Sequence, residues 1–321
     1  AAALVFAFFQ RRETIPILLG AAVVFGAARA YFSPANTALG PMLVPRPLLP
    51  RAIAWNSLAW QTGSIAGPLL AGPLLALSRT APYAASLMLY AIAGACMLMV
   101  RGNAQPQLQS GSRWALMKEG LAYVWNNKIV FGAISLDLAA VILGGVVALL
   151  PVFVRDVLHV PEAQREFVFG ILRAGQGVGA SAVALYLAAF PIRRHAGAIM
   201  FLSVALFAVS IVVFGLSTWL WLSVFALAVL GGADMVSVYV RSTLIQLATP
   251  DHMRGRVATV SGLFIGASNE LGEFETGIVG RILGPVGAAV FGGVGALAVT
   301  GLWAWLFPQL RKADRLVLGL A

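Results

Sequence analysis

The sequence has few charged residues: Asp, Glu, Lys and Arg make up 11% of its 321 residues, against about 25% in an ordinary soluble domain. Sixty per cent of the residues are hydrophobic, and the mean hydropathy is +0.88. The apolar excess runs along the whole chain, so a single signal peptide on a globular body does not explain it. The composition predicts an all-α polytopic membrane protein.

Cysteine and histidine are also scarce, with one Cys and three His. Cys96 alone cannot form a disulfide framework or a multi-thiolate metal site. His159, His195 and His252 lie in separate loops without ligand spacing. The chain contains no phosphate-binding loop and no nucleophile elbow. We therefore expect no enzyme activity, no metal and no cofactor, and any pumping must use an ion gradient.

Acidic residues number 12 against 22 basic ones, which gives a net charge of +10. The basic residues lie in short breaks between apolar runs, whereas nucleic-acid-binding proteins cluster them on one face. No nucleic-acid partner is expected. Counted on alternating sides of the apolar runs, 13 basic residues fall on one side and six on the other. By the positive-inside rule, the C-terminus and the longest loop are predicted to be cytoplasmic.

A membrane span is a helix of about 20 apolar residues, because lipid offers no partners to backbone groups. The residues before Ile15 include an apolar stretch, 1–9, too short to span, and we interpret it as the end of a truncated helix. Nine runs are long enough to span: Ile15–Val44, Trp55–Leu77, Pro82–Val100, Ile129–Val154, Phe167–Phe190, Ala196–Leu216, Trp219–Ala248, Val257–Gly280 and Val286–Phe307.

The longest loop, Arg101–Lys128, divides the chain into two hydrophobic blocks. Its polar first half is typical of an interdomain linker. Its second half places Trp114, Leu121 and Trp125 at helical spacing, as in a helix lying in the membrane interface; a packed cytoplasmic helix is the equal alternative. We predict an incomplete N-terminal bundle (1–101), a linker with an amphipathic helix (102–128) and a C-terminal six-span bundle (129–321).

The two blocks repeat one pattern. A shift of 205 residues aligns Gly26 with Gly231, Pro45 with Pro250, and further Ala, Arg and Gly positions in matching places. Because both copies have the same membrane orientation, they are predicted to be parallel repeats of a transporter. About nine complete spans and a partial one are present, and twelve are expected in a full six-plus-six protein.

The segment Gly63–Gly72 is similar to the antiporter motif G-x-x-x-G-P-x-x-G-G, with Ala71 in place of one Gly. With the six-plus-six pattern, it makes the chain resemble the major facilitator superfamily. Stretches such as 32–36, 43–45, 119–124, 149–151 and 254–257 resemble the branch that contains the enterobactin exporter and related secretion effectors. The resemblance implies rocker-switch transport of a small molecule in the bacterial inner membrane, and we expect a monomer.

The antiporter-like motif also has a physical interpretation. Gly63, Gly67 and Gly72 present small surfaces at helical spacing, and Pro68 removes one backbone hydrogen bond. Such a helix can pack closely against a neighbour and bend. A purely structural packing face remains the alternative.

Charged residues inside the apolar runs are the sharpest signal, because each costs about 2.5–3.5 kcal/mol at the bilayer centre. We expect them to line a wet cavity or to neutralise one another. Asp234 and Arg241 lie two helical turns apart, too far to pair directly, whereas the repeat places Arg29 opposite Asp234. The eight residues are Arg29, Asp137, Arg173, Asp234, Arg241, Glu270, Glu273 and Glu275.

Residues 268–275 form the most polar stretch in any predicted span. Glu270 and Glu273 are three residues apart on one helix face, where two carboxylates repel and one holds a proton more readily. Such a carboxylate suits proton exchange. Permanent pairing, for example with Arg173, is the structural alternative.

The sequence therefore predicts a secondary transporter in the lipid bilayer, with proton-coupled export of a small amphipathic compound. Asp137, Glu270 and Glu273 are the candidates for proton coupling. Arg29, Asp234, Arg241 and Arg173 are the candidates for a charge gate or substrate path. A nutrient importer of the same fold, or a truncated membrane protein that does not transport, are the alternatives.

Overall fold

A computed structural model describes residues 20, 23–28, 59, 62–63, 66–67, 70–71, 73–75, 77–78, 80–99, 113–190, 192, 194–250 and 253–313. The chain divides into two compact units, 1–109 and 110–321. The boundary falls inside the segment interpreted from sequence as a linker.

In the first unit, helix α1 spans Ala81–Met99 and corresponds to the third predicted span. The Ser78 hydroxyl accepts a hydrogen bond from the backbone N–H of Ala81 at 3.0 Å, which caps the start of this helix. The rings of Phe25 and Tyr90 meet edge to face with centroids 6.3 Å apart. The predicted spans 15–44 and 55–77 lie largely outside the described residues.

The second unit is a bundle of long helices, and all six spans predicted for it are helical. Only the ends differ, by up to three residues, apart from two internal breaks. The helices are α2 (Arg113–Asn126), α3 (Lys128–Leu143), α4 (Leu150–Asp156), α5 (Arg165–Ala189), α6 (Ala196–Leu216), α7 (Leu220–Ala248), α8 (Arg254–Leu306) and α9 (Pro308–Arg311).

The predicted span Ile129–Val154 is wrong in one respect, because it is not a continuous helix. Helix α3 ends at Leu143, a 3₁₀ turn covers Val146–Leu149, and α4 follows. The Gly144–Gly145 pair has low helix propensity, and Pro151 fits only the first turn of a helix. The chain therefore breaks inside the membrane-spanning segment.

Helix α8 covers the last two predicted spans and turns between them. Gly284 has φ 75° and ψ 168°, a conformation open to glycine, and Pro285 follows it. The predicted break between Gly280 and Val286 is confirmed. Among the described residues, six helical segments are long and apolar enough to cross a membrane, and the last of them, Gly255–Leu306, contains this turn.

Helices α5 and α7 pack backbone to backbone through glycine. A Cβ atom at Gly179 would collide with the carbonyl oxygen of Ala228, and one at Gly231 would collide with that of Gln176. Gly175 and Gly179 therefore serve close helix packing. Leu172, Leu227 and other apolar side chains fill the core beside this contact.

The amphipathic helix α2 belongs to the second unit. Val124 is buried in an apolar cluster with Val257, and Glu119 forms an ion pair with Arg256 at the start of α8. An adjacent face of α2 leaves Leu121 and Trp125 exposed. One face is thus packed, as the cytoplasmic-helix interpretation expects, and the other is apolar and open, as in an interfacial helix.

Candidate functional site

Two of the predicted intramembrane charges form a buried ion pair. The Asp137 carboxylate on α3 pairs with the Arg241 guanidinium on α7. Only 6% of Asp137 and 3% of Arg241 is accessible. The pair joins residues 104 positions apart in the chain and neutralises both charges within the apolar bundle. Part of the expected charge compensation is therefore present in the folded unit.

A second polar site lies between the broken end of α3 and helices α5, α7 and α8. It is a pocket of about 90 Å³. Four polar side chains from three helices line it: Gln176 on α5, Asp234 on α7, and Asn269 and Glu273 on α8. The rest of its wall consists of Val141, Gly144, Gly145, Val146, Val147, Phe207 and Leu230.

Glycine brings the broken end of α3 close to α8 beside this pocket. A Cβ atom at Gly145 would collide with the carbonyl oxygen of Gly272, and one at Gly272 would lie 2.6 Å from the carbonyl oxygen of Val141. The last turn of α3 therefore reaches the pocket with its backbone. The C-terminal end of a helix carries a partial negative charge, which adds to that of the two carboxylates.

Asp234 lies deep in the bundle, and part of its surface remains accessible. Within the described part of the chain, it has neither a hydrogen bond nor an ion pair. Arg241, on the same helix, is paired with Asp137. The expectation that Asp234 and Arg241 do not pair with each other is met.

Arg173 lies next to the pocket on α5. Its Nη1 donates a hydrogen bond to Oε1 of Gln176 at 3.5 Å, and its charge interacts with that of Glu273. Within the described residues, no ion pair within 4.0 Å joins Arg173 to Glu273. The sequence left open a fixed ion pair between Arg173 and a glutamate. In the described residues, Arg173 and Glu273 attract each other only at longer range.

The remaining acidic residues of α8 differ in their surroundings. Glu270 and Glu273 are both exposed on the second unit, and Glu270 does not line the pocket. Glu275 is half-buried, and its Oε2 accepts a hydrogen bond from Thr276 at 3.3 Å. Because lipid penalises exposed carboxylates, the Glu270–Glu273 surface suits contact with water or polar groups.

Other predicted site residues are not in this bundle. Arg29, Pro68 and Gly72 lie outside the described residues. Gly63 and Gly67 belong to the first unit. A Cβ atom added to either glycine would contact no other described residue within 4 Å. Their predicted role in the antiporter-like motif stays a prediction.

The sequence did not indicate that Asp137 pairs with Arg241 or that Gln176 lines the pocket. Gln176 lies in a glycine-rich stretch, and its polarity inside an apolar run was the available signal. In the described parts of both units, no group of three or more His, Cys, Asp or Glu side chains is placed to hold a metal ion.

Comparison with known proteins places the chain in a family. The family model described as Major Facilitator Superfamily matches residues 1–273. Searches of curated proteins and of solved structures found no match. The matched segment includes α1 to α7, all four polar pocket residues and the Asp137–Arg241 pair. The chain belongs to the Major Facilitator Superfamily, a family of membrane-embedded secondary transporters of small molecules.

Proposed function

We propose that this transporter exports a small amphipathic compound in exchange for protons, by rocker-switch alternating access of two six-span halves. The observation that carries the proposal is the pair of carboxylates, Asp234 and Glu273, which line one pocket inside a membrane-spanning bundle. Carboxylates are costly in a bilayer, so sites that retain them are typical of substrate and proton pathways.

The proposed roles follow the surroundings of each residue. Glu270 and Glu273 lie on an exposed surface of α8 and exchange protons with a water-filled path. Asp137 is held by Arg241 and takes up a proton only when α3 and α7 separate. Asp234, Arg173 and Arg29 are proposed to act on the substrate path or as a charge gate. The antiporter-like motif of Gly63, Gly67, Pro68 and Gly72 supports the antiport direction.

The resemblance supports the finer assignments. Within the superfamily, we propose the branch of the enterobactin exporter and related secretion effectors, in a bacterial inner membrane. The excess of basic residues in alternate loops supports a cytoplasmic C-terminus. We propose a monomer as the working unit.

Everted membrane vesicles with an acid interior test the function. Vesicles that contain the protein are expected to accumulate ethidium, and a protonophore should abolish the accumulation. Glu270→Gln and Glu273→Gln should each reduce gradient-driven uptake at least about tenfold, an effect equal to 1.4 kcal/mol. Both side chains are exposed, so these substitutions test chemistry without disturbing the core.

Glu275→Gln is the matched control, because Glu275 lies on the same helix outside the pocket. It should retain uptake. Asp137→Asn is the third site variant, beside Glu270→Gln and Glu273→Gln. Retention of gradient-dependent uptake by all three site variants would rule out the proposed proton coupling. Counterflow with the gradient reversed separates export from import.

A further inference from the structure

We propose that the pocket between α3, α5, α7 and α8 binds a single small monovalent cation, either a free ion or the ammonium or guanidinium group of the transported compound. This inference deepens the proposed function and rests on it for the transport role of the site. The pocket residues that carry it are Asp234, Glu273, Gln176 and Asn269.

Among the residues that the structure describes, the charges around the pocket include one more negative than positive charge that is free to act there. Asp234 and Glu273 contribute two carboxylates. Arg173 is the guanidinium that acts on Glu273, while Arg241 is engaged by Asp137. A buried charge without a partner is strongly unfavourable, so the site favours a ligand with one positive charge.

Asp234 is the anchoring group. Its carboxylate is deep in the bundle, has no protein partner among the described residues, and keeps accessible surface as a lining residue of the pocket. Polar groups inside a helix bundle usually have a hydrogen-bond partner in the protein or in ordered water. The half-buried Asp234 carboxylate therefore offers its acceptor oxygens to an occupant that donates hydrogen bonds or carries positive charge.

The neighbouring groups suit the same ligand. The amide oxygens of Gln176 and Asn269 can accept hydrogen bonds. The C-terminal end of α3 lines the pocket at Val141, Gly144 and Gly145. The partial negative charge of this helix end therefore lies beside the ligand. In other transporters, the C-terminal ends of broken helices coordinate cations at mid-membrane sites.

The size of the pocket suits such a ligand. A cavity of about 90 Å³ is several times the roughly 10–15 Å³ that one water molecule requires. It accommodates a partly hydrated Na⁺, a primary ammonium or a guanidinium. The described residues hold no cluster of three metal-ligating side chains, which disfavours a divalent metal. An apolar body of a larger compound would extend beyond the pocket, whose wall includes Phe207 and Leu230.

Equilibrium binding of radiolabelled guanidinium to the purified full chain tests the site without requiring transport. We expect saturable binding, displaced by methylammonium and not by the neutral analogue acetamide. Asp234→Asn and Glu273→Gln should each weaken binding at least about tenfold. Glu275→Gln should bind as the unchanged protein does. Size-exclusion profiles confirm that each variant is folded.

Competition distinguishes the two sources of the cation. Displacement by organic cations alone assigns the site to the transported compound, and displacement by Na⁺ as well assigns it to free inorganic ions; both support a cation site. Binding that survives both Asp234→Asn and Glu273→Gln, equal competition by acetamide, or no binding to the folded protein would overturn it. Loss of vesicle transport with intact binding would contradict the proposed function alone.

Discussion

At the residue scale, the ion pair of Asp137 and Arg241 places two opposite charges inside the second unit. Both side chains are withdrawn from solvent, and each needs the other for compensation. A buried ion pair adds little net stability compared with apolar residues, yet the loss of one member leaves an isolated buried charge. The pair therefore constrains how α3 and α7 pack.

Arg241→Gln is expected to destabilise the protein by about 3–5 kcal/mol, because Asp137 is left buried without its guanidinium. The double variant Asp137→Asn/Arg241→Gln should recover most of this loss, since no charge remains. Thermal unfolding of the purified protein in detergent measures both effects. A double variant as unstable as the two single variants combined would contradict the assigned pairing.

At the element scale, glycine determines how closely the helices of the second unit approach. Gly179 and Gly231 place α5 and α7 in backbone contact, and Gly145 and Gly272 do the same for the end of α3 and α8. Small residues permit such close approach between membrane helices. Because Gly145 has no side chain, backbone forms part of the pocket wall beside Gly272. A larger side chain at position 145 would collide with the Gly272 backbone.

Gly179→Ala is expected to destabilise the bundle by about 1–3 kcal/mol, the usual cost of overpacking, because the added methyl group collides with the Ala228 backbone. Gly266→Ala is the matched control: it lies in helix α8, and an added Cβ would meet nothing within 4 Å. The control should melt at the same temperature or slightly higher, owing to better helix propensity. Equal melting of both variants would contradict the close α5–α7 contact.

At the scale of the whole molecule, transport requires water to reach polar residues that lie within membrane spans. Asn269 and Glu273 are exposed on the second unit and line the pocket. If this surface faced lipid, the exposed carboxylate would carry the full cost of a charge in hydrocarbon. A water-filled path at this surface removes that cost.

A thiol probe tests this path. In a Cys96→Ser background, Asn269→Cys should react with a membrane-impermeant maleimide in proteoliposomes. Ser210→Cys, at a position only 4% exposed on α6, should remain unlabelled. Mass spectrometry of the intact protein quantifies the modification. Absence of labelling at position 269 from either side of the membrane, in vesicles that transport ethidium, would remove the support for a water-accessible site.

The sequence by itself determined where the helices of the second unit lie. A membrane-spanning backbone in a bundle of this kind forms helices. The lengths of the apolar runs and the gap between Gly280 and Val286 were therefore sufficient to locate the spans and the turn within α8. The break at Gly144–Gly145 was visible as a glycine pair, but its effect inside an apolar run depended on the contact with Gly272.

Only the tertiary structure decided which polar groups meet. The sequence marked Asp137, Arg241, Asp234 and Glu273 as costly, and it did not show that the first two pair while the last two share a pocket with Gln176. The physical reason is that a nearly uniformly apolar helix has no periodicity that fixes its rotation about its own axis. That rotation is set by close packing against neighbouring helices, and it selects the partner of each charge.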